Sequence, residues 1–242
     1  IINIGSLNMS HLDKVRNNVV NKGNSYGSEM EIINDKQIHE VILHRGCTSR
    51  FRENELITSV ISCLNKKNID FSVLDDETCC GIILYLLGDS KTADEVVKAN
   101  IQKFNSHGVK KIITICPGCY EAFHDYYSKH ENFDIEVIFA MDLFNDETID
   151  GDGYIIHDPC HALERSTQVR SIIKNVPIER ANSCCGFGAG LNLGSKELTK
   201  KMAQDTLNKG NIVTYCPSCY HTLNSVDNKK TTDFFTLLDK EL

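Results

Sequence analysis

The sequence predicts an α/β protein made of two pseudo-symmetric repeats, each with a short parallel sheet and each carrying a C…CCG…CxxC site. Three observations predict it. A cysteine pattern occurs twice: Cys47, Cys79-Cys80-Gly81 and Cys116-Pro117-Gly118-Cys119, then Cys160, Cys184-Cys185-Gly186 and Cys216-Pro217-Ser218-Cys219. The likeness extends to flanking residues. Val41-Ile42-Leu43-His44 ahead of Cys47 answers to Tyr154-Ile155-Ile156-His157 ahead of Cys160, and Ile112-Ile113-Thr114-Ile115 to Ile212-Val213-Thr214-Tyr215. Self-similarity of this kind marks an internal repeat. Finally, short β-rich runs alternate with helical segments in both halves, the pattern of parallel α/β units.

Residues 1–40 are polar, rich in Asn and free of Cys, and read as an N-terminal arm or lead-in helix. The first CCG-bearing repeat, 41–145, is expected to hold strands at 41–44, 71–74, 111–115 and 136–139, with helices at 54–66, 92–107 and 117–129. The stretch 145–153, with Asp, Glu and two glycines, reads as the inter-repeat linker. The second repeat, 154–242, is expected to hold strands at 153–157, 178–180 and 212–215, with helices at 167–175, 196–208 and 217–225. Strand–helix alternation of this kind is Rossmann-like. Cys47 and Cys160 each follow a strand, and in open α/β sheets ligands gather at the carboxyl ends of strands. Pro117 and Pro217 suit the first helical position. That sets Cys116 and Cys216 beside a helix N-terminus, whose dipole favours a thiolate.

At 242 residues the chain is long enough to bury roughly 70–75% of its unfolded surface. The eleven cysteines are therefore not needed as staples, and their number is odd. Nothing at the N-terminus reads as a secretory signal. Cysteine clusters in a reducing compartment more often mean metal or redox function than disulfides, so a cytoplasmic location is expected. A net charge of −7 with no Lys/Arg stripe argues against a nucleic-acid face. The longest apolar run, Ile82 to Leu87, falls far short of the ~20 residues that span a bilayer. Membrane association is expected only through a partner. The chain starts at Ile1 rather than Met, which is compatible with a longer parent.

Ten of the eleven cysteines fall into two sets of five, each with a vicinal pair. Zinc takes four ligands in a tetrahedron, usually from paired CxxC motifs. Adjacent cysteines point apart, which is awkward for one small ion but suits two irons of one cluster. A cubane cluster needs four cysteines, so a fifth points to altered geometry. Gly81 and Gly186 would let the backbone approach a bulky inorganic core. A thioredoxin-like dithiol at either CPxC segment is the other alternative, made poorer by the accompanying CCG and upstream Cys.

With these motifs the sequence resembles the cysteine-rich CCG-domain proteins, especially the B-type subunit of heterodisulfide reductase and its equivalent domain. The resemblance covers roughly residues 41–225. Thirty-one residues separate Cys47 from Cys79 and thirty-four separate Gly81 from Cys116, intervals similar to the family's. The second set is shorter, with twenty-three and twenty-nine. The resemblance implies two non-cubane [4Fe–4S] clusters. Cys47, Cys79, Cys80, Cys116 and Cys119 would ligate one, and Cys160, Cys184, Cys185, Cys216 and Cys219 the other.

The function this implies is disulfide cleavage by one-electron steps, with the two sites facing each other across a pocket. Candidate catalytic residues are Cys80, Cys185, His157 and His161. The expected partners are a ferredoxin-like iron–sulfur subunit or a flavoprotein subunit, with a small disulfide or thiol as substrate. The competing class is plain electron transfer, as in the iron–sulfur subunits of flavin-dependent glycolate, lactate or glycerol-3-phosphate dehydrogenase complexes.

Other features read more simply. Cys63 shares a helix face with Leu56, Val60 and Leu64 and is expected in the core. His44 and His157 precede the lone cysteines by the same interval, as a thiolate's hydrogen-bond donors or as strand-end residues. Gly186-Phe187-Gly188-Ala189-Gly190 misses the dinucleotide pattern because Leu191 stands where glycine is required. Tyr120 and Tyr220 fit either cluster shielding or the core, and Asp75-Asp76-Glu77 is expected at the surface.

Overall fold

The computed structural model describes residues 9–30, 40–177, 184–188 and 190–242. Helix α1 (Met9–Lys22) leads in, followed by β1 (Val41–His44), α2 (Cys47–Phe51), α3 (Asn54–Lys66), α4 (Ile82–Leu86), α5 (Ser90–Ser106), β2 (Lys111–Thr114), α6 (Pro117–Glu121) and β3 (Glu136–Phe139). A short β4 (Ile149–Asp150) precedes β5 (Tyr154–His157), α7 (Ser166–Ile172), β6 (Ile173–Lys174), α8 (Leu191–Gly194), α9 (Lys196–Leu207), β7 (Asn211–Thr214), α10 (Pro217–Asn224), β8 (Thr231–Asp233) and α11 (Phe234–Glu241). The result is a mixed helix–strand protein with short parallel sheets, ordered β1-β2-β3 and β5-β7-β8, and a two-stranded β4-β6 pair. In register, Ile42 faces Ile112 and Ile112 faces Val137, while Ile155 faces Ile212 and Ile212 faces Thr231.

Local sequence explains the elements. Leu56, Val60, Cys63 and Leu64 recur at helical spacing and form the buried stripe of α3. Asp89 caps α5 by accepting the Thr92 N–H, and Ser195 caps α9 by accepting the Leu198 N–H. One core is shared by both halves: Leu43, Ile113 and Phe139 pack in the same cluster as Ile156, Val213 and Phe234. Outer clusters lie under α5 and under α9. Cys63 is buried in the shared core, its thiol 3.7 Å from the Phe235 carbonyl.

Several expectations need correction. The expected strand at 71–74 reduces to one bridge, Ile42 to Ser72. Ser72 exchanges hydrogen bonds with Val41 and Leu43. Beyond it the chain turns away to bring Glu77 inward. The 145–153 stretch is not a bare loop: its Ile149 is fully buried in β4 beside β6. Gly151 there is a packing glycine: an added Cβ would stand 2.4 Å from Ile173 Cγ2 and 2.6 Å from Val176 Cγ1. The helix expected at 167–175 ends at Ile172, where the chain becomes strand β6. Helix 117–129 forms as α6 followed by a π turn over Ala122–Tyr126 and a 3-10 turn over Tyr127–Lys129. Short α2 and α4, and the closing β8 and α11, were not expected. The strand expected at 178–180 lies outside the described residues.

Candidate functional site

Cys47, Cys116, Cys160 and Cys216 sit just beyond the carboxyl ends of β1, β2, β5 and β7. Cys47 opens α2 after β1, and Cys116 and Cys216 are the residues just before Pro117 of α6 and Pro217 of α10. Nine of the ten motif cysteines, all but Cys184, line one cavity of about 170 Å³. Among the described residues its remaining wall is largely apolar (Val15, Ile82, Ile83, Phe187, Leu193), and no Lys, Arg, Asp or Glu lines it. All eleven thiols are free. Cys79, Cys80, Cys119, Cys185, Cys216 and Cys219 are buried, Cys47 and Cys116 half-buried, and Cys160 and Cys184 exposed.

Thiol contacts form a continuous path. It runs from Cys47 through Cys79, Cys80 and Cys119 to Cys116, crosses to Cys216, and continues through Cys219 and Cys185 to Cys184. The Cys116–Cys216 contact is the seam between the two sets. Hydrogen bonds from Cys119 and Cys79 bring Cys80 down to about 6. Contacts with Cys119 and Cys216, followed by the backbone N–H groups of Cys119 and Gly118 at the start of α6, hold Cys116 well below the usual thiol range. Cys184 and Cys219 act likewise on Cys185, with His157 contributing. Ligand atoms of His157, Cys185 and Cys219 lie within 4.8 Å of one another, an arrangement able to hold a metal ion.

The turns that carry the cysteines need glycine. Gly46 has φ 77°, and a Cβ there would come within 3.3 Å of Cys119 Sγ. Gly81 and Gly186 also have positive φ, but their open sides face helices rather than sulfur. A Cβ at Gly186 would stand 3.0 Å from the Thr199 backbone of α9, and one at Gly81 would meet Val96 of α5. Their glycine requirement is therefore conformational and helix-packing, not approach to an inorganic core.

The two halves clasp each other around the cavity. Helix α2 packs on α10, and the Cys160–Arg165 turn packs on α6. Thr48 and Ser218 hydroxyls are 3.1 Å apart, and Tyr26 extends that chain with its hydroxyl 3.1 Å from Thr48 Oγ1. Glu53 meets His221 Nδ1 at 2.5 Å, and Glu121 pairs with His161 Nδ1. His161 lines the cavity; its contact with Cys160, outweighing burial and aided by Glu121, raises it to about 9. His44 is buried but lies edge-on to Phe123, ring centroids 5.0 Å apart. Tyr120 packs on Phe139, not on the cavity.

Four features of this site were not read from the sequence. Glu77, expected at the surface, is 3% exposed and bound to Arg45. The Gly23–Tyr26 segment also reaches the first set: the Gly23 carbonyl accepts the Cys79 N–H at 2.7 Å, and Ser25 donates its N–H to the Cys47 thiol. Thr48 and Ser218 complete the list. The available signal was the pair Arg45 and Arg50 flanking Cys47, two cations that a buried chain must compensate.

A parallel α/β scaffold with two thiol sets facing one cavity defines a cysteine-rich metal or redox protein. The family described as Cysteine-rich domain (CCG) matches residues 41–124 and 154–224, and the chain belongs to that family. It is 29% identical over 246 residues to an iron-sulfur protein of Methanococcus maripaludis, covering 90% of this chain and 49% of that one. It is 26% identical over 217 residues to one of the subunits of the dihydromethanophenazine:CoB–CoM heterodisulfide reductase of Methanosarcina acetivorans, covering 76% of this chain and 53% of the relative. It is 24% identical over 221 residues to one of the subunits of the CoM/CoB fumarate reductase of Methanothermobacter marburgensis, covering 80% and 45%. The chain thus spans about half the length of the curated relatives it matches. Among the described residues no helix is long and apolar enough to cross a membrane.

Proposed function

We propose that this chain is an iron–sulfur redox subunit that cleaves a disulfide, built from two pseudo-equivalent Rossmann-like units. Cys47, Cys79, Cys80, Cys116 and Cys119 hold one non-cubane [4Fe–4S] cluster, and Cys160, Cys184, Cys185, Cys216 and Cys219 hold the other. The donor set suits such a group: free thiols, several pulled toward the thiolate by their neighbours and by helix N-termini, around a cavity where a Cβ at Gly46 would crowd the Cys119 sulfur. Bound there, the clusters supply electrons singly and iron sites with affinity for sulfur. The chain's own residues do the rest. Val15, Ile82, Ile83 and Phe187 give the cavity an apolar wall, and the Thr48–Ser218 hydroxyl pair ties the two halves together beside it. His161, anchored by Glu121, presents an N–H beside Cys160, and His157 holds Cys185.

The balanced reaction takes RS–SR, two electrons and two protons to two RSH. A ferredoxin-like or flavoprotein subunit supplies the electrons. The observation that carries this reading is the single cavity lined by cysteines of both sets. A plain electron relay, as in a dehydrogenase complex, has no need for substrate space between its centres. Relatives named as heterodisulfide and fumarate reductase subunits lend further support.

The test is anaerobic reconstitution with iron and sulfide analysis, then EPR with candidate disulfides and thiols. Two clusters per chain, with a spectrum that responds to disulfide, is the expected result. A preparation carrying only zinc, or one whose motif thiols pair with one another, overturns it.

A further inference from the structure

One buried carboxylate, Glu77, joins two turns of the first cysteine set. Glu77 lies on the strap leading to Cys79 and Cys80, and its two oxygens are both committed to the turn that leads to Cys47. Oε2 accepts the Arg45 backbone N–H and the Arg45 Nε–H, each at 3.1 Å, while Oε1 accepts the Gly46 N–H at 2.9 Å. The cations return the tie. Arg45 Nη2 donates to the Leu74 carbonyl at 3.1 Å, and Arg50 Nη1 donates to the Glu77 carbonyl at 2.6 Å while lying 3.8 Å from Oε1. Glu77, Arg45 and Arg50 are 3%, 5% and 4% exposed. Charge-assisted bonds in so dry a place hold geometry tightly.

The second half uses a different device. At the position of Arg45 it has Asp158, gripped by Arg170 at 2.9 and 3.0 Å and by the Tyr215 hydroxyl at 3.0 Å. That clamp ties the Cys160 turn to α7 and to the end of β7.

We infer that Glu77 is the positioning residue of the first site alone, locking the Cys47 turn to the Cys79–Cys80 turn so that their thiols meet. The assignment rests on the proposed iron–sulfur reading only for its metal-loaded arm. The spacing of these thiols is a property of the polypeptide and is measurable without metal.

The test uses Glu77→Gln, whose amide NH₂ would face the Arg45 donors. In the reduced, metal-free chain, alkylation of each cysteine by iodoacetamide is followed by peptide mass spectrometry. The expected result is an increase of about tenfold or more for Cys47, Cys79 and Cys80, with Cys184 and Cys185 unchanged. In the reconstituted chain, the first set loses protection from alkylation while the second keeps it, and iron falls by about half. Arg45→Lys, which keeps the charge but lacks the second donor for the Leu74 carbonyl, gives a smaller rise confined to the same cysteines. It decides the matter if Glu77→Gln does not fold. Unchanged rates overturn the inference, and so does an equal rise in both sets. A parent chain that binds no iron–sulfur cluster defeats the proposed function and leaves the metal-free result standing.

Discussion

Asp233 gives the fold a pH-dependent cost that a single oxygen-to-amide exchange removes. It closes β8, is 2% exposed, and caps α11 by accepting the Phe235 N–H at 2.8 Å. Burial pushes its carboxyl from an ordinary 3.8 up to about 7, against the backbone N–H groups of Phe235, Thr236 and Phe234. A folded-state value above the unfolded one means that the folded chain holds the proton more tightly. The stabilisation is therefore complete below the unfolded value and is lost as pH rises through the folded one. Three units at about 1.4 kcal/mol each amount to a loss of about 4 kcal/mol by pH ~8. Asp233→Asn keeps a capping oxygen of equal quality and carries no charge. In thermal melts of the reduced, metal-free chain, the variant is expected to melt about 10 °C above the parent at pH ~8. The gap shrinks by more than half at pH ~5. A gap that is constant with pH, or that widens toward acid, refutes the burial argument.

Gly151→Ala forces a Cβ against Ile173 and Val176 and is expected to cost about 1–3 kcal/mol by urea denaturation; an unchanged midpoint refutes the packing role. Phe123→Ala empties a fully buried position between Phe104, Tyr127 and Phe133, at an expected cost of about 3–5 kcal/mol in the same assay. Under the proposed function, Cys185→Ser lowers the iron content of reconstituted protein by about half and leaves the first set protected from alkylation. Full iron retention counts against Cys185 as a ligand.

Much of the site was legible because its chemistry is periodic. The repeated cysteines, the strands before Cys47, Cys116, Cys160 and Cys216, and the Pro-initiated helices α6 and α10 all follow from local pattern, and the structure has each of them. Residues whose roles depend on distant partners were illegible. Glu77 follows two exposed aspartates and reads like them, yet Arg45 and Arg50, about thirty residues earlier, draw it inward. Gly151 reads as a breaker because only the approach of Ile173 reveals it as a packing residue. The apolar run from Ile82 resolved into α4, whose Leu84 is buried while Ile82 and Ile83 line the cavity. Composition alone does not divide such a run between core and site.

The way the halves meet explains why the thiols share one cavity. The residue after each lone cysteine reaches the CPxC helix of the opposite half: Thr48 to Ser218, and His161 to Glu121. Residues a turn away repeat the exchange, with Glu53 meeting His221. Each set is thus braced by the other half as well as by its own, and the Cys116–Cys216 contact joins the two sets directly. A half chain would lose these ties and half of the shared core around Phe139, Ile156 and Phe234. Sites so interlocked form together.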